Sequence, residues 1–172
     1  MDDYRGMFDF INTRNNPFDV FYSYVIGGYV RNASIVLKYF PELLTQKPRY
    51  RLRNGSDLPL IRSVISGNYE MSKLLLDNGA DVNKPDQENG DTALIVAAWH
   101  GHTKIVKLLL EGGAVVNEPN QKDGDTALIV AASHGQTETV TLLLDEGADV
   151  NLANENGDTT LIAAAAQGQT ET

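Results

Sequence analysis

The sequence predicts an all-α repeat solenoid, in which short helix pairs stack one after another along the chain. The main observation is internal repetition. The string GDTALIVAA occurs at residues 90–98 and again at 124–132, and the variant GDTTLIAAA begins at Gly157. Successive copies start 34 and 33 residues apart, and a looser copy, SDLPLI, starts 34 residues earlier at Ser56. A fixed period of this size is typical of repeat arrays, whose units each contact their neighbours.

The second observation is that each unit contains two short helix patterns. In the unit that starts at Gly90, Thr92 is a suitable N-cap because its hydroxyl can accept a hydrogen bond from an amide of the first turn. The helix that follows is expected to end at Gly101, and a second one is expected to start near Thr103 and to stop before Gly113. Helices this short are marginal alone in water, so their stability must come from packing between units.

The third observation is a change of composition near residue 55. Residues 1–55 carry a net charge of +3 and 11 of the 12 Phe and Tyr residues, whereas residues 56–172 carry a net charge of −12. We therefore expect an aromatic-rich N-terminal capping region, 1–55, followed by a repeat array, 56–172. The array divides into units 56–89, 90–123, 124–156 and a partial unit, 157–172.

The N-terminal region is expected to hold a degenerate first repeat near residues 20–55. Pro17 suits the first position of a helix, and Phe18, Phe21 and Val25 then recur at spacings of three and four, as on one helical face. An aromatic-rich terminal unit of this kind seals the first layer of a stacked array. The basic run at 47–53 is interpreted as a solvated connector, with contact to a phosphate or an acidic partner as the alternative.

Composition and motifs exclude several classes of function. The acidic array disfavours nucleic acid and anionic lipid, no stretch is apolar enough to span a membrane, and the start of the chain does not resemble a signal peptide. The sequence contains no cysteine, phosphate loop, metal-spaced histidine pair or nucleophile motif, and its units repeat the same groups, whereas catalysis needs different groups to converge. The sequence thus predicts a non-catalytic protein inside the cell, in the cytoplasm, without a metal or cofactor.

The repeating unit resembles an ankyrin repeat, and the resemblance covers residues 56–172. The matching residues in the second unit are Gly90, Thr92, Leu94, Ala97, Ala98, Gly101, His102, Ile105, Val106, Leu109, Leu110, Gly113, Ala114, Val116 and Asn117. The resemblance implies two antiparallel helices and a short β-hairpin finger in each unit, stacked into a curved solenoid. It also implies recognition of other proteins through the fingers and the face of the first helices.

One departure from the family pattern recurs in every unit. The family's Thr-Pro-Leu-His becomes Thr-Ala-Leu-Ile or a close variant, so that Ile95 and Ile129 stand where the family histidine ties the hairpin to the helices by hydrogen bonds. Ile61 and Ile162 are the equivalent residues in the first and last units. We therefore expect apolar packing to replace this polar tie.

As a hypothesis, a partner protein with a basic surface binds to the finger tips and the first-helix face. Aspartates at one equivalent position per unit form an acidic strip for this partner, or else they support helix dipoles and solubility. Trp99 is expected to contact the partner rather than to fill the core, and His100 and His134 are expected to be polar surface residues rather than metal ligands. The expected partner-binding residues are Asp57, Ile65, Ser66, Glu88, Asn89, Asp91, Trp99, His100, Lys122, Asp123, Asp125, Ser133, His134 and Asp158.

Two further hypotheses come from the end of the sequence, where the second helix of the fourth unit is expected to begin. One is that the chain is the targeting or regulatory N-terminal fragment of a larger enzyme, effector or channel. The other is self-association through an uncapped C-terminal end, because the outer side of Val140, Leu143 and Leu144 is expected to be poorly covered.

Overall fold

The computed structural model describes residues 17–44, 58–166 and 168 of the 172-residue chain. These residues form nine α-helices and one short 3-10 helix, Pro41–Leu44. Within the same residues, no helix combines the length and the apolar character needed to cross a bilayer. The α-helices are α1 Pro17–Gly27, α2 Val30–Tyr39, α3 Pro59–Ile65, α4 Tyr69–Asp77, α5 Ala93–Trp99, α6 Thr103–Glu111, α7 Ala127–Ser133, α8 Thr137–Asp145 and α9 Thr160–Ala166.

The helices pair and stack as the sequence predicts, which confirms the all-α repeat fold. Helix α1 packs against α2, α3 against α4, α5 against α6, and α7 against α8. The first helices of these pairs, α1, α3, α5 and α7, follow one another in a row that α9 extends. The second helices, α2, α4, α6 and α8, form a neighbouring row. Each pair therefore packs chiefly on the pair before it and the pair after it.

The first helices of the units that start at Gly90 and Gly124 begin at the predicted threonine caps. Thr92 Oγ1 accepts a hydrogen bond from the backbone N–H of Ile95 at 3.4 Å, and Thr126 Oγ1 accepts one from Ile129 at 3.3 Å. Gly113, which follows α6, has a φ of 89°, a left-handed conformation that residues with a side chain rarely adopt. The predicted start and stop of α6 are thus confirmed.

The core lies between the two rows of helices. Leu75, Leu109 and Leu143 occupy equivalent positions on α4, α6 and α8, and all three are fully buried. The first helices contribute small side chains such as Ala97 and Ala131, which are also fully buried and let neighbouring backbones approach closely. The helices of the array have only seven to nine residues each, so this apolar burial between successive pairs supplies their stability.

The finger segments between units are closed by turns rather than by long strand ladders. In the finger that precedes α7, the backbone N–H of Asn120 donates to the carbonyl of Asp125 at 2.9 Å. In the finger that precedes α9, Ala153 and Thr159 form an isolated antiparallel bridge. Within the described residues, no longer strand is formed, so the hairpins are reduced to their turns.

A set of asparagine side chains ties the loops after the second helices to one another. Asn83 Oδ1 accepts a hydrogen bond from the backbone N–H of Val115 at 2.9 Å, and its Nδ2 donates to the carbonyl of Gly113 at 3.1 Å. Asn117 makes the same pair of bonds to the next unit, at 2.9 and 3.4 Å. One side chain therefore satisfies both a donor and an acceptor of the following loop.

At the N-terminal end, α1 packs on α3 and α2 packs on α4. Phe18, Phe21 and Val25 are fully buried, as expected for a helical face turned toward the array. Residues 1–16 and 45–57 lie outside the described residues, and the predicted connector at 47–53 lies among them. The interpretation of 1–55 as a cap with a degenerate repeat stays a prediction.

At the C-terminal end, α9 packs on α7. The expectation that Val140 and Leu143 are poorly covered is wrong, because α8 packs against both α6 and α7 and buries these two side chains. Leu144 is partly exposed, and Leu161 on α9 is 75% exposed. Apolar surface at this end therefore comes from Leu144, as the sequence predicts, and from Leu161 on α9.

Candidate functional site

A cleft of about 340 Å³ lies between the C-terminal halves of α3 and α5 and is closed on one side by the finger that precedes α5. We call it the first-helix cleft. Its lining residues are Ile61, Ile65, Asp86, Glu88, Asn89, Asp91, Ile95, Val96, Trp99 and His100. Six of them, Ile65, Glu88, Asn89, Asp91, Trp99 and His100, are among the predicted partner-binding residues.

The floor of the first-helix cleft is aliphatic. Ile61 and Ile65 are four residues apart on α3, and Ile95 and Trp99 are four residues apart on α5, so each pair lies on one face of its helix. Ile61 and Ile95 are almost fully buried, whereas Ile65 and Val96 are partly exposed. The isoleucines that replace the family histidine therefore pack into the helix layer and also form the base of the cleft.

Trp99 stands at the end of α5 and is 51% exposed. Its ring lies against the imidazole of His134 in the next unit, with ring centroids 4.5 Å apart and planes inclined by 34°. Gln136 Nε2 donates a hydrogen bond to the Trp99 carbonyl at 3.3 Å. The indole is thus held in place by the following unit, while half of its surface faces solvent, which is unusual for a side chain whose only role is to fill a core.

The wall of the cleft is acidic, and Asp86 organises it. Its Oδ1 accepts hydrogen bonds from the backbone N–H groups of Glu88, Asn89, Gly90 and Asp91, at 3.1, 2.9, 3.0 and 3.3 Å. The backbone amides of residues 88–91 therefore converge on one carboxylate oxygen, and Asp side chains stabilise tight turns through such bonds. The arrangement fixes the Asp86 carboxylate in place at the edge of the cleft.

Asn120 takes the place of Asp86 in the next finger and adds a tie between units. Its Oδ1 accepts from the backbone N–H groups of Asp123 and Asp125, at 2.9 and 3.2 Å. Its Nδ2 donates to Asp91 Oδ1 at 3.0 Å. The isoleucines pack as expected, with Ile95 and Ile129 each 2% exposed. The asparagine amide adds a polar tie that the sequence did not predict, because it closes its own finger and reaches the preceding finger at the same time.

The following unit repeats this arrangement. Asn154 Nδ2 donates to Asp125 Oδ1 at 2.8 Å, and Asn154 Oδ1 accepts from the backbone N–H groups of Asn156 and Asp158 at 3.0 and 2.9 Å. Asp91 and Asp125, two aspartates of the predicted acidic strip, therefore each accept a hydrogen bond that joins neighbouring fingers. This role differs from both the partner contact and the helix-dipole support considered above.

The surroundings of Asp91 and His100 shift their protonation equilibria. Burial raises the pKa of the Asp91 carboxyl, the hydrogen bond from Asn120 opposes this effect, and the negative charge of Asp86 raises the pKa further. Burial lowers the pKa of His100, and the nearby imidazoles of His102 and His134 lower it as well. The cleft thus holds a carboxylate that is poorly stabilised as an anion beside an imidazole that disfavours its cationic form.

The remaining predicted residues lie outside the cleft. Ser66 and Ser133 donate hydrogen bonds to carbonyls of their own helices, so their hydroxyls have local partners. His134 is exposed beside Trp99, and its Nδ1 lies 3.0 Å from the Val130 carbonyl. Lys122, Asp123, Asp125 and Asp158 belong to the later fingers, and Asp57 lies outside the described residues.

Sequence reasoning missed several residues of this surface. Ile61, Asp86, Ile95 and Val96 line the cleft, and Asn120 and Asn154 hold the fingers. A signal was available for the last group, since positions 86, 120 and 154 are 34 residues apart and carry Asp or Asn each time. In the residues that the structure describes, no group of three or more His, Cys, Asp or Glu side chains is arranged to hold a metal ion.

Comparison with known proteins gives one result that bears on this surface. A family model described as ankyrin repeats, in three copies, matches residues 36–120 and 115–172. No curated protein matches the chain. The matched region contains every residue of the first-helix cleft.

Proposed function

Since this chain belongs to the ankyrin repeat family, we propose that it is a non-catalytic module that binds a partner protein through the first-helix cleft and the adjacent finger tips. Ankyrin repeats generally mediate protein–protein interaction. The observation that carries the proposal is the half-exposed Trp99, held beside an aliphatic floor and an acidic wall. Tryptophan side chains in such settings are frequent centres of binding energy at interfaces.

The partner is proposed to present a basic surface. Asp86, Glu88 and Asp91 line the cleft together, and its lining contains no Lys or Arg. The array as a whole carries a net charge of −12. Complementary charge speeds association and disfavours wrong partners, and this electrostatic attraction weakens as the salt concentration rises. Binding that falls steeply between low and high salt supports this part of the proposal, and salt-independent binding contradicts it.

The test compares capture of the partner from an extract of the native cell by the wild type and by Trp99→Ala. Val115→Ala is the matched control, because Val115 is an apolar residue that is 49% exposed and lies outside the cleft. We expect Trp99→Ala to weaken capture about tenfold or more, the effect of a binding hot spot. Its melting temperature should stay close to that of the wild type. Equal capture by the two variants, or a fall of many degrees in the melting temperature of Trp99→Ala, contradicts the proposal.

Self-association is a second candidate, favoured by the surface at the far end of the array. A cleft of about 380 Å³ lies between α7, α8 and α9, and the exposed side chains of Leu144, Val150 and Leu161 line it. Apolar surface of this kind is a common basis of association between copies. Sedimentation velocity at several concentrations tests it. A concentration-dependent dimer that Leu161→Glu abolishes supports self-association, and a monomer at all concentrations contradicts it.

The proposal includes a location in the cytoplasm, either as a separate adaptor or as the targeting part of a larger enzyme, effector or channel. Fluorescence microscopy of the tagged chain in its native cell tests the location. The same capture experiment, repeated with the protein isolated from its native cell as the bait, distinguishes the two settings by the size of that native protein. The cleft and its expected partner chemistry are the same in both cases.

A further inference from the structure

We propose that the first-helix cleft receives a single arginine side chain of the partner, with its aliphatic stem on the floor formed by Ile65 and Val96 and its guanidinium between Trp99 and the carboxylates of the finger. This inference rests on the proposed function, because it names the group through which the partner is held. Four properties of the cleft support it: its size, its aliphatic floor, its negative charge and the exposed ring of Trp99.

The shape of the cleft suits one long side chain. Its volume of about 340 Å³ is near the lower limit for small-molecule sites and is ample for the end of a side chain. The partly exposed Ile65 and Val96 supply the accessible aliphatic surface along its base, and Ile61 and Ile95, which also line the cleft, are almost fully buried. Arginine and lysine side chains bury their methylene stems on such surfaces while the charged end stays at a polar rim. A short or branched side chain leaves either the floor or the rim without contact.

The charge of the cleft selects a cation. Three carboxylates, those of Asp86, Glu88 and Asp91, belong to the lining, and the lining contains no Lys or Arg to balance them. His100 does not compensate, because burial and neighbouring imidazoles lower its pKa and favour the neutral ring. The hydrogen bonds to Asp86 and Asp91 come from neutral groups, so a neutral or acidic side chain placed here removes water from three negative charges without supplying a positive one, which costs free energy.

The geometry of the ring and the finger favours arginine over lysine. His134 lies on one side of the Trp99 ring at 4.5 Å, and the half-exposed ring lines the cleft with its remaining surface. A planar guanidinium stacks on an indole and also pairs with a carboxylate through two parallel hydrogen bonds, whereas an ammonium group does neither equally well. The four amide bonds to Asp86 and the Asn120 bond to Asp91 hold both carboxylates before binding. A site organised in advance loses less entropy on binding.

The experiment uses the full chain and three probes of one size: the N-acetyl, N-methylamide derivatives of arginine, lysine and citrulline. Trp99 is the only tryptophan, so its fluorescence reports on the cleft without a label. We expect the arginine probe to saturate with a dissociation constant on the order of millimolar, as for a fragment of its size. The lysine probe should bind about tenfold more weakly. The neutral citrulline probe should give no saturation.

Variants separate the cleft from general attraction to an acidic protein. Asp91→Asn and Glu88→Gln should each weaken the arginine probe several-fold, and the Glu88 side chain is exposed, so its variant is expected to fold normally. Asp125→Asn is the matched control, because Asp125 is the equivalent of Asp91 in the next unit and does not line the cleft. Equal binding of all three probes, no binding of the arginine probe, or an equal effect of Asp125→Asn and Glu88→Gln overturns the inference.

Failure of this inference can be told from failure of the proposed function. If the arginine probe does not bind while partner capture still depends on Trp99, the arginine assignment is wrong and the protein-binding function stands. If capture does not depend on Trp99 either, both proposals are wrong.

Discussion

Replacing Asn120 by aspartate tests how neighbouring fingers are joined. The change exchanges one amide nitrogen for a charged oxygen in a side chain that is 8% exposed. Asp86 shows that a carboxylate at this position can close the finger, because its Oδ1 accepts the backbone amides there. Asn120→Asp therefore keeps the bonds to its own finger. It loses the donor to Asp91 and sets a second negative charge against that carboxylate.

The expected cost of Asn120→Asp follows from two contributions. A hydrogen bond to a charged group is worth about 1.5–3 kcal/mol. Two unit charges held 3.0 Å apart, the present distance between Asn120 Nδ2 and Asp91 Oδ1, repel by about 1.4 kcal/mol at the dielectric constant of water, and by more in the protein. Since the side chains can turn apart to relieve part of the repulsion, we expect the free energy of unfolding to fall by about 3 kcal/mol at neutral pH.

Urea unfolding followed by circular dichroism measures this loss. Asn154→Asp should show a similar loss, because Asn154 makes the equivalent bond to Asp125. Combining Asn120→Asp with Asp91→Asn restores one donor and one acceptor with the roles exchanged, so the double variant should recover most of the stability. A loss below about 0.5 kcal/mol refutes the proposed tie, because a hydrogen bond to a charged group contributes more than this. A double variant no more stable than Asn120→Asp also refutes it, because restoring the bond should restore stability.

Three further predictions address packing, turns and pH. Leu109→Ala should lower the free energy of unfolding by about 2–5 kcal/mol in urea melts, because Leu109 is fully buried. Leu144→Ala should lower it by less than about 1 kcal/mol, because Leu144 is partly exposed. Equal losses contradict the stacking described above. Gly113→Ala should cost about 1–2 kcal/mol, because its φ of 89° is unfavourable for alanine although nothing lies within 4 Å of the added Cβ. Gly90→Ala should cost more in thermal melts, because its φ is 73° and its Cβ also lies 2.8 Å from the backbone nitrogen of Gln121, which cannot turn away. The reverse order contradicts this reasoning. The pKa of His100 is lowered in the folded chain from its ordinary value of 6.5, so the unfolded chain binds this proton more readily. The free energy of unfolding should therefore fall as the pH decreases below 6.5, and it should fall less in His100→Asn. Identical pH profiles of the wild type and the variant contradict the prediction.

The periodic part of the fold was predictable because repetition marks equivalent positions directly. The recurring GDTALIVAA, with its threonine cap and its glycines, indicated the helix boundaries of the units that start at Gly90 and Gly124, and the spacing of Leu109 indicated the buried row. These features depend on local chemistry and on burial at helical spacing, which a single sequence displays. The same reasoning correctly expected an exposed tryptophan, because the alanines beside it already fill the layer between helices.

The parts that the sequence did not reveal are contacts between different positions of neighbouring units. Asn120 meets Asp91 across 29 residues, whereas the visible period is 34, so the pair does not stand out as a repeat. The first-helix cleft depends on how far α3 and α5 are rotated and how the finger folds over them, and the sequence contains neither quantity. Asp86 was missed for the same reason, since its carboxylate acts on backbone amides, which every residue possesses.

The asparagine ties and the other hydrogen bonds given above between units span 29 to 37 residues, so each reaches one unit forward along the chain. A scaffold connected in this way has no closing contact that depends on its total number of units. Inserting or deleting one whole period leaves every remaining junction with the partners it already had. Gene duplication can thus lengthen such a scaffold without new compensating mutations, while a deletion of a few residues misaligns every tie at one junction.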